Sequence, residues 1–595
     1  MPTSLFSPDA QAVLDGPRDA LGSAFASPAD WRDHPIYFLM VDRFDNPSAP
    51  PAHAPFDDPD FFAFQGGKFS GVKARLAYIK QLGAGAVWLS PVLKNLPFDP
   101  GSYHGYGIHD FLRADPRFAD VAEEADDELR SLVDAAHAQG LYVIFDIVLN
   151  HTGDVFAYPG TGAESPWHDQ AQGVAWRDAA GNAPSVTTPV ERIAPPRPLD
   201  ALVWPEELQQ DRFFRRQGGP GGDDTLGDFA SLKQLRTDDA DLQRFLIRAY
   251  QYVIARYDID GFRIDTLRYL KGDLARTFGN AAREYALSIG KKNFFTFGEV
   301  LDNTAEDDIA RFVGRNTNDP GDPQVVGVDA ALDYPLFNTL KPMVKGFLAP
   351  QAVVDMYQRR KVVEKDILSS HGDATRYFVT FLENHDMKER LRFVQPGDEH
   401  RFDDQVTLGL ACLYCLPGIP CLYYGTEQGL HGHGSDPAVR EALWGGPGFD
   451  QANPFYAAIA AVGRVRAERA ALRYGRFYFR PVSGDGRSFG TSPFAGGVLA
   501  FSRILNDEEV TVVANTAAGG QALEVIVDGR LNAVGPGPAL LFSNKPAPAG
   551  PGPVARRDGV RVQEVDGTVG TGPLNVVPVT LQPFEVQILG RRRGV

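Results

Sequence analysis

The sequence predicts an α/β protein built on a closed (β/α)8 barrel, with an irregular domain inserted in one barrel loop and an all-β sandwich at the C-terminal end. Three observations lead to this fold class. Short apolar runs alternate with helical stretches as far as Tyr424, a loop rich in Gly and Pro interrupts them, and short strands with Gly/Pro turns follow residue 472. Continuous apolar strands between helices are typical of a parallel sheet covered on both faces.

Eight apolar runs are expected to form the barrel strands. They are Ile36–Val41, Ala86–Ser90, Leu141–Ile147, Gly261–Asp265, Phe294–Glu299, Val325–Val328, Arg376–Leu382 and Cys421–Tyr424. Eight parallel strands in one chain indicate a closed barrel rather than an open sheet. The helical periodicity between them is clearest in Glu128–Gln139 and Ala240–Tyr257, and a further helical stretch runs from Asn453 to Leu472.

The domain boundaries follow from where the alternation of strands and helices starts, is interrupted and ends. Residues 1–33 form an N-terminal extension, and the barrel takes residues 34–150 and 240–472. Residues 151–239 form the insertion, and because polar motifs flank it on both sides we expect it to be functional. Residues 473–595 are expected to form the sandwich, with strands at Gly497–Ser502, Glu509–Ala514 and Val577–Leu589.

Composition narrows the function classes. The formal net charge of -17 disfavours nucleic acid and anionic membrane surfaces as partners, and suits a neutral substrate. No signal peptide or membrane-spanning segment is visible, so a cytoplasmic location is the expectation, with secretion as the alternative if a leader has been removed. Cys412, Cys415 and Cys421 lie in one apolar stretch, which indicates core packing rather than a disulfide framework.

Polar side chains cluster where the predicted strands end, which in such a barrel is the functional rim. The third strand ends in DIVLNH (146–151), the fourth in GFRID (261–265), the fifth in GE (298–299) and the seventh in ENHD (383–386). The loop after the second strand carries YHGY (103–106). A single such residue is more often a helix cap or a satisfied structural group, but five clusters on one rim predict a site.

These motifs resemble the α-amylase family of glycoside hydrolases, in the same order and with matching spacing. DIVLNH, GFRIDTLRY, FGEVLD and FLENHD look like its four signature regions, and PGIPCLYYGTEQG is similar to its last barrel strand. The resemblance runs from Ile36 to Ala470. It implies that the insertion is the family's domain B and that the trailing β-region is its C-terminal β-domain.

The resemblance also implies the chemistry of a retaining glycosidase, in which two carboxyls about 5–5.5 Å apart act on one sugar. Asp265 looks like the nucleophile, Glu299 like the general acid and base, and Asp386 like a third carboxylate that grips sugar hydroxyls. Arg263 lies two residues before Asp265 on the same strand, so both side chains face one side, and the guanidinium would keep Asp265 ionised. The other implied sugar-binding residues are His104, Tyr106 (a stacking platform), His151, Arg268 and His385.

Many family members hold a structural calcium ion between domain B and the barrel. The matching positions here are Asn150, Asp228 and the carbonyl of Tyr269, oxygen ligands that suit a hard cation. Tyr269 replaces a usual His, and the GDFASL string around Asp228 departs from the family's pattern, so the sequence leaves calcium binding open. The acidic loop DRFDN (42–46) is a second candidate, with a turn and capping residues as the alternative. No organic cofactor is implied.

The leading hypothesis is hydrolysis of α-1,4-glucosidic bonds in starch-like glucans or maltooligosaccharides, and RIDT and GEVLD resemble the endo-acting branch. A transglycosylase, which uses the same covalent intermediate, is the nearest alternative. Gly107 stands where many amylases have Trp, a change that concerns chain-length preference rather than cleavage. A non-catalytic barrel scaffold is the third alternative, disfavoured because all three carboxylates are present. The sequence does not indicate an oligomeric state.

Overall fold

The computed structural model of the chain describes residues 2–16, 24–53, 62–160, 168, 170–193, 202–219, 226–271, 274–301, 309–310, 312–313, 315–316, 327–364, 367–369 and 372–591. Two structural parts dominate them: a parallel barrel with helices around it, and an antiparallel C-terminal region of two sheets. This architecture confirms the predicted fold class.

The barrel is an eight-stranded sheet whose order around the ring follows the chain. Its strands are β1 (Ile36–Leu39), β2 (Ala86–Leu89), β3 (Tyr142–Val148), β4 (Gly261–Asp265), β5 (Phe295–Gly298), β6 (Ala330–Ala331), β7 (Val379–Thr380) and β8 (Ile419–Tyr423). Neighbouring strands pair in parallel in the order β6-β5-β4-β3-β2-β1-β8-β7. A parallel bridge between Leu332 and Val379 joins β6 to β7 and closes the ring.

Helices surround the barrel and bury their apolar faces against it. They are α1 (Pro8–Asp15), α2 (Val41–Phe44), α3 (Phe69–Ala74), α4 (Leu76–Gln81), α5 (Ala125–Ala138), α6 (Ala240–Tyr257), α7 (Leu274–Ser288), α8 (Tyr334–Val344), α9 (Pro350–Glu364), α10 (Asp403–Cys415), α11 (Pro454–Glu468) and α12 (Ala470–Tyr474). Helix α6 has the predicted bounds. The Asp239 carboxylate accepts from two backbone N–H groups at its start, and Asp258 ends it in a left-handed conformation.

One predicted barrel strand and one predicted helix differ from the structure. The sixth strand is Ala330–Ala331 rather than Val325–Val328, of which Val325 and Val326 lie outside the described residues. The prediction rested on the β-branched valines of Val325–Val328, but the residues that pair with β5 are the two alanines. The helical stretch from Asn453 to Leu472 is two helices, because Arg469 between them has an extended backbone.

Short antiparallel pairs within the insertion join its two ends and part of its interior. His151–Thr152, directly after β3, pairs with Lys233–Gln234 just before α6, and Phe156–Ala157 pairs with Ala175–Trp176. Other short strands on the barrel loops are Leu93–Asn95 with Ile108–Ala114, and Arg315–Asn316 with Ile367–Ser369 and Gly372–Asp373. The insertion therefore begins and ends beside the carboxyl end of β3, at the predicted functional rim.

The C-terminal region has two five-stranded sheets. Its strands are β9 (Arg476–Phe479), β10 (Val482–Ser483), β11 (Ser488–Phe489), β12 (Val498–Leu505), β13 (Glu508–Asn515), β14 (Gln521–Val527), β15 (Ala539–Ser543), β16 (Ala555–Gln563), β17 (Val569–Leu581) and β18 (Val586–Gly590). The sheet orders are β9-β12-β13-β18-β15 and β10-β14-β17-β16-β11. The predicted strand Val577–Leu589 is in fact the end of β17 and most of β18, because Phe584 turns the chain with φ 54°.

Two further expectations concern the cysteines and membrane-spanning segments. Cys412, Cys415 and Cys421 are buried and free, and burial raises the pKa of each thiol, which confirms core packing. Within the described ranges, none of the helices combines the length and apolar character needed to cross a membrane.

Candidate active site

A cavity of about 350 Å³ opens at the carboxyl ends of the barrel strands. Of the predicted site residues it is lined by His104, Tyr106, His151, Asp265, Arg268, Tyr269, Glu299 and Asp386. Sequence reasoning did not single out the other lining residues, which are Phe229, Leu232, Thr266, Leu301, Asp436 and Arg440. Arg263 and His385 lie buried beside this set and contact several of its members.

Arg263 joins the carboxyl groups at the ends of three neighbouring strands. Its Nη1 atom lies 2.8 Å from Asp265 Oδ1 and 2.9 Å from Asp146 Oδ1, and its Nη2 atom lies 2.9 Å from Glu299 Oε2. All four side chains are buried or nearly so. The arrangement follows from strand alternation, since Arg263 and Asp265 share a face of β4, and β3 and β5 are its neighbours. One guanidinium therefore orients both predicted reacting carboxyls.

The cluster has fewer positive charges than carboxyls. Burial raises the pKa of Asp265 well above its ordinary value, and the Arg263 guanidinium opposes that effect. Burial likewise raises the pKa of Asp146 to about 7. Because Arg263 is shared among three carboxyls, its charge only partly offsets the effect of burial on the pKa of Asp146 and Asp265.

Glu299 is held by groups from the neighbouring strand ends. Its Oε2 atom accepts from the backbone N–H of Thr266 at 3.2 Å as well as from Arg263, and Tyr334 donates its hydroxyl to Oε1 at 3.3 Å. Thr266 is a β-branched residue with φ 49°, an uncommon conformation that turns its N–H toward Glu299. Such strain is typical of functional positions.

Tyr106 connects the loop after β2 to the charged cluster. Its hydroxyl donates to Asp146 Oδ2 at 2.9 Å and lies 2.7 Å from His385 Nε2, and the two rings stack at 5.4 Å between centroids. Trp88 on β2 also donates to Asp146 Oδ2, at 3.1 Å. Asp146 thus fixes the ring that faces the cavity, a positioning role that the sequence did not reveal.

The histidines around the cavity are neutral. Burial lowers the pKa of His151 to about 4, and burial also lowers the pKa of His104 and His385 well below the ordinary value. Neither ring nitrogen of His151 has a well-aligned hydrogen-bond partner within the described part of the chain, although the Tyr106 backbone lies close to the ring. Since a buried polar atom without a partner is costly, this imidazole is suited to a ligand hydroxyl.

Arg440, on the loop after β8, is the main site residue that the sequence did not indicate. Its Nη2 atom donates to Asp386 Oδ1 at 3.1 Å, its Nε atom to the His385 carbonyl at 2.9 Å, and its Nη1 atom to the Tyr103 hydroxyl at 3.1 Å. Burial and three anchors hold the guanidinium in one place. The third carboxylate is therefore paired with a cation, unlike a freely mobile surface Asp.

The residues predicted to hold calcium do not fit that ion. The Lys233 ammonium is fully buried beside them, with Nζ 3.0 Å from Asp154 Oδ1 and 3.6 Å from Asp228 Oδ2. Asp228 also accepts from the Tyr158 hydroxyl at 2.5 Å and from the Gln234 N–H at 3.0 Å. Calcium needs six to eight oxygen ligands, and a neighbouring ammonium repels it. Over the residues described, no group of three or more His, Cys, Asp or Glu side chains is placed to hold a metal.

The acidic segment at residues 42–46 forms most of the short helix α2 and the residues that follow it. The Asp42 carboxylate accepts from the backbone N–H groups of Gln65 and Gly66, and Asp45 pairs with Arg75 at 2.7 Å. Both carboxylates therefore have partners from other parts of the chain, and neither of them caps α2.

Comparison with known proteins decides the family. A model of the family described as "Alpha amylase, catalytic domain" matches residues 38–470. The chain belongs to the α-amylase family. It is 26% identical over 505 residues to an alpha-amylase of Streptomyces lividans, an alignment covering 75% of this chain and 50% of that protein. The chain thus spans about half the length of that member of the α-amylase family.

Two solved structures share the fold. An alpha-amylase from Geobacillus thermoleovorans, solved in complex with acarbose, has a TM-score of 0.61 and 22% identity, covering 96% of this chain and 100% of that one. A cyclomaltodextrin glucanotransferase has a TM-score of 0.65 and 21% identity, covering 94% and 100%. The fold of this chain is thus similar both to that of an alpha-amylase and to that of a cyclomaltodextrin glucanotransferase.

Proposed function

We propose that the protein hydrolyses α-1,4-glucosidic bonds of starch-like glucans or maltooligosaccharides, with retention of the anomeric configuration. The observation that carries the proposal is the contact of one guanidinium, Arg263, with both Asp265 and Glu299. Two carboxyls on one guanidinium favour the short separation of about 5–5.5 Å that a retaining mechanism needs.

In the first step Asp265 attacks the anomeric carbon while Glu299 protonates the glycosidic oxygen. Arg263 occupies Asp265 Oδ1, which leaves Oδ2 to form the ester bond to the sugar. Two N–H donors occupy Glu299 Oε2, so the transferable proton belongs on Oε1, beside the Tyr334 hydroxyl. The C–O bond to the leaving sugar breaks, and that sugar departs with the proton from Glu299.

In the second step Glu299, now ionised, takes a proton from water as the water oxygen attacks the anomeric carbon. The ester bond breaks, and Asp265 regains its negative charge beside Arg263. Asp386, held by Arg440, accepts hydrogen bonds from hydroxyls of the sugar in the cavity. The imidazole of His151 forms a hydrogen bond with a hydroxyl of the same sugar, and the ring of Tyr106 stacks against that sugar.

The alternative is a glucanotransferase, in which a sugar hydroxyl takes the place of water in the second step. Phe229 favours this possibility, because its ring lies on the cavity rim and is 58% exposed. An exposed ring can stack on an acceptor sugar. The cyclomaltodextrin glucanotransferase fold match is compatible with either activity.

Product analysis on maltoheptaose tests the proposal. The proposed hydrolase releases shorter sugars that are first seen as α-anomers by NMR, and Asp265→Asn abolishes their release. Initial β-anomers would contradict retention. Sugars longer than maltoheptaose, formed increasingly as substrate concentration rises, would assign the chain to the transferase alternative.

A further inference from the structure

A second cavity, of about 510 Å³, lies on the side of the barrel opposite the active site. Thr375, just before β7, and Pro417 and Gly418, just before β8, contribute to its wall. Residues before parallel strands lie at their amino ends, whereas the catalytic residues follow the carboxyl ends. The opposing wall comes from the start of the C-terminal region, at Tyr474 to Tyr478. The described residues that line the two cavities do not overlap.

The lining of this cavity is strongly basic, although the chain has a net charge of -17. Six arginines and Lys361 line it, against a single carboxylate among the described lining residues, Asp373. The arginines are Arg32, Arg360, Arg376, Arg473, Arg476 and Arg503. We call this set the arginine cavity. A basic concavity with low-dielectric walls concentrates anions.

Neighbouring carboxylates neutralise part of the charge. Arg32 pairs with Asp30 at 2.6 Å, Arg376 with Asp373 at 3.4 Å, and Arg473 with Asp33. Arg360 pairs with Asp333 on the barrel side. These pairs fix several guanidiniums around the cavity, and among the described lining residues positive charges still outnumber these carboxylates.

Arg503 has no carboxylate contact within the described residues. It is 3% exposed, and its guanidinium donates only to backbone carbonyls, those of Gly475 and Cys415. Behind it, the buried Arg466 also donates only to carbonyls. The bond from Arg503 to Cys415 joins strand β12 to helix α10, but carbonyls carry no net charge. Burial accordingly lowers the pKa of Arg503 to about 9, as expected of a cation that lacks a counter-ion.

Aromatic rings complete the wall. Tyr357, Tyr474 and Phe477 line the arginine cavity, and the Arg32 guanidinium lies 4.8 Å from the centroid of the Tyr474 ring. Guanidinium groups bind phosphate oxygens in a bidentate manner, and aromatic faces bind the rings of sugars or bases. A cavity of this volume has room for more than a phosphate ion alone.

We propose that the arginine cavity binds a phosphorylated small molecule, with the phosphate at Arg376, Arg476 and Arg503 and the organic part against the aromatic wall. The site is independent of the glycosidase chemistry proposed above. The alternative is that the arginines only fasten the C-terminal region to the barrel.

Titration calorimetry with inorganic phosphate and with glucose 1-phosphate tests this proposal on the full chain. The test variant is Arg376→Gln/Arg476→Gln, which alters the exposed mouth, and the control Arg244→Gln/Arg530→Gln removes the same charge from exposed positions elsewhere. We expect saturable binding to wild type and control, weakened about tenfold or more in the test variant. Arg503→Met should abolish binding, and the mouth variant decides the question if Arg503→Met does not fold.

The possible results separate cleanly. Absence of saturable binding up to about 10 mM of either probe, or equal binding by test and control variants, would overturn the proposal. If wild type binds glucose 1-phosphate more tightly than inorganic phosphate, and the test variant loses this difference, the proposed contact between the organic group and the aromatic wall is supported. Equal affinity for both probes would overturn the proposed contact with the aromatic wall and leave inorganic phosphate as the occupant.

Discussion

Arg440 Nη2 lies 3.1 Å from Asp386 Oδ1, so a partly buried guanidinium from the loop after β8 pairs with the third carboxylate of the candidate site. The same guanidinium donates to the carbonyl of His385, the residue before Asp386. Both contacts fix the carboxylate toward the cavity. Arg440 thus holds Asp386 in the orientation that binds sugar hydroxyls before the substrate arrives.

Replacing Arg440 should weaken the use of substrate without removing the reacting carboxyls. We expect Arg440→Gln to lower kcat/KM on maltoheptaose by about 10–100-fold, because the orientation of Asp386 is lost. Arg440→Lys should recover part of that loss, since lysine keeps the positive charge but lacks the planar, forked donors of the guanidinium. Steady-state kinetics with Arg244→Gln as the control measure this, and an unchanged kcat/KM in Arg440→Gln would refute the assigned role.

Arg263 should set the acid limb of the pH profile. Asp265 must be ionised to attack, burial raises its pKa, and Arg263 opposes that rise. Arg263→Met removes the opposition, so the acid limb of kcat/KM should move to higher pH by about one unit or more, with a large loss of rate. Arg390→Met is the matched control, because Arg390 is an equally buried arginine that pairs with Glu441 outside the cluster. An acid limb that stays in place would argue against this electrostatic role.

Lys233 should make the junction of insertion and barrel independent of calcium. Its ammonium contacts Asp154 and Asp228 where a metal site was predicted, so EDTA should leave the Tm of wild type unchanged. Lys233→Met leaves the buried Asp228 carboxylate without its cation, whereas Asp154 keeps Arg177, and should lower the free energy of unfolding by about 3–5 kcal/mol. Denaturation of both proteins, with and without EDTA, measures this. A fall in the wild-type Tm with EDTA that calcium reverses would instead support the original calcium prediction.

His34 predicts how stability depends on pH. Burial lowers its pKa to about 4, below the ordinary value of 6.5, so the unfolded chain binds the proton more readily between these values. Stability is therefore full above about pH 6.5 and declines as pH falls toward 4, by about 2 kcal/mol at pH 5 for this one group. Urea unfolding at pH 7 and pH 5 should show a smaller difference in His34→Gln. His400→Gln, at an exposed histidine, should leave the difference unchanged.

Much of the barrel and of the site was predictable, because strand ends in a closed parallel barrel must meet at one rim. Asp265 and Glu299 follow from that rule and from local motifs. Arg440 does not: it meets Asp386 from 54 residues away, on a loop without a recognisable pattern. Lys233 resembles any loop lysine until folding buries it between two carboxylates. Strand β6 was misplaced because alanine pairs carry little strand signal, and burial within the ring outweighs that propensity.

The most direct test of the central claim compares Glu299→Gln with wild type on substrates of different leaving-group quality. Maltoheptaose needs a proton at its glycosidic oxygen, whereas 4-nitrophenyl α-maltotrioside releases a stable phenolate. We predict that Glu299→Gln slows maltoheptaose cleavage by about 10² or more but slows the first step on the aryl substrate far less. Asp265→Asn should abolish both reactions, and Glu284→Gln, on the exposed face of α7, should alter neither. Equal losses on the two substrates, or none, would contradict the role of Glu299 as the acid.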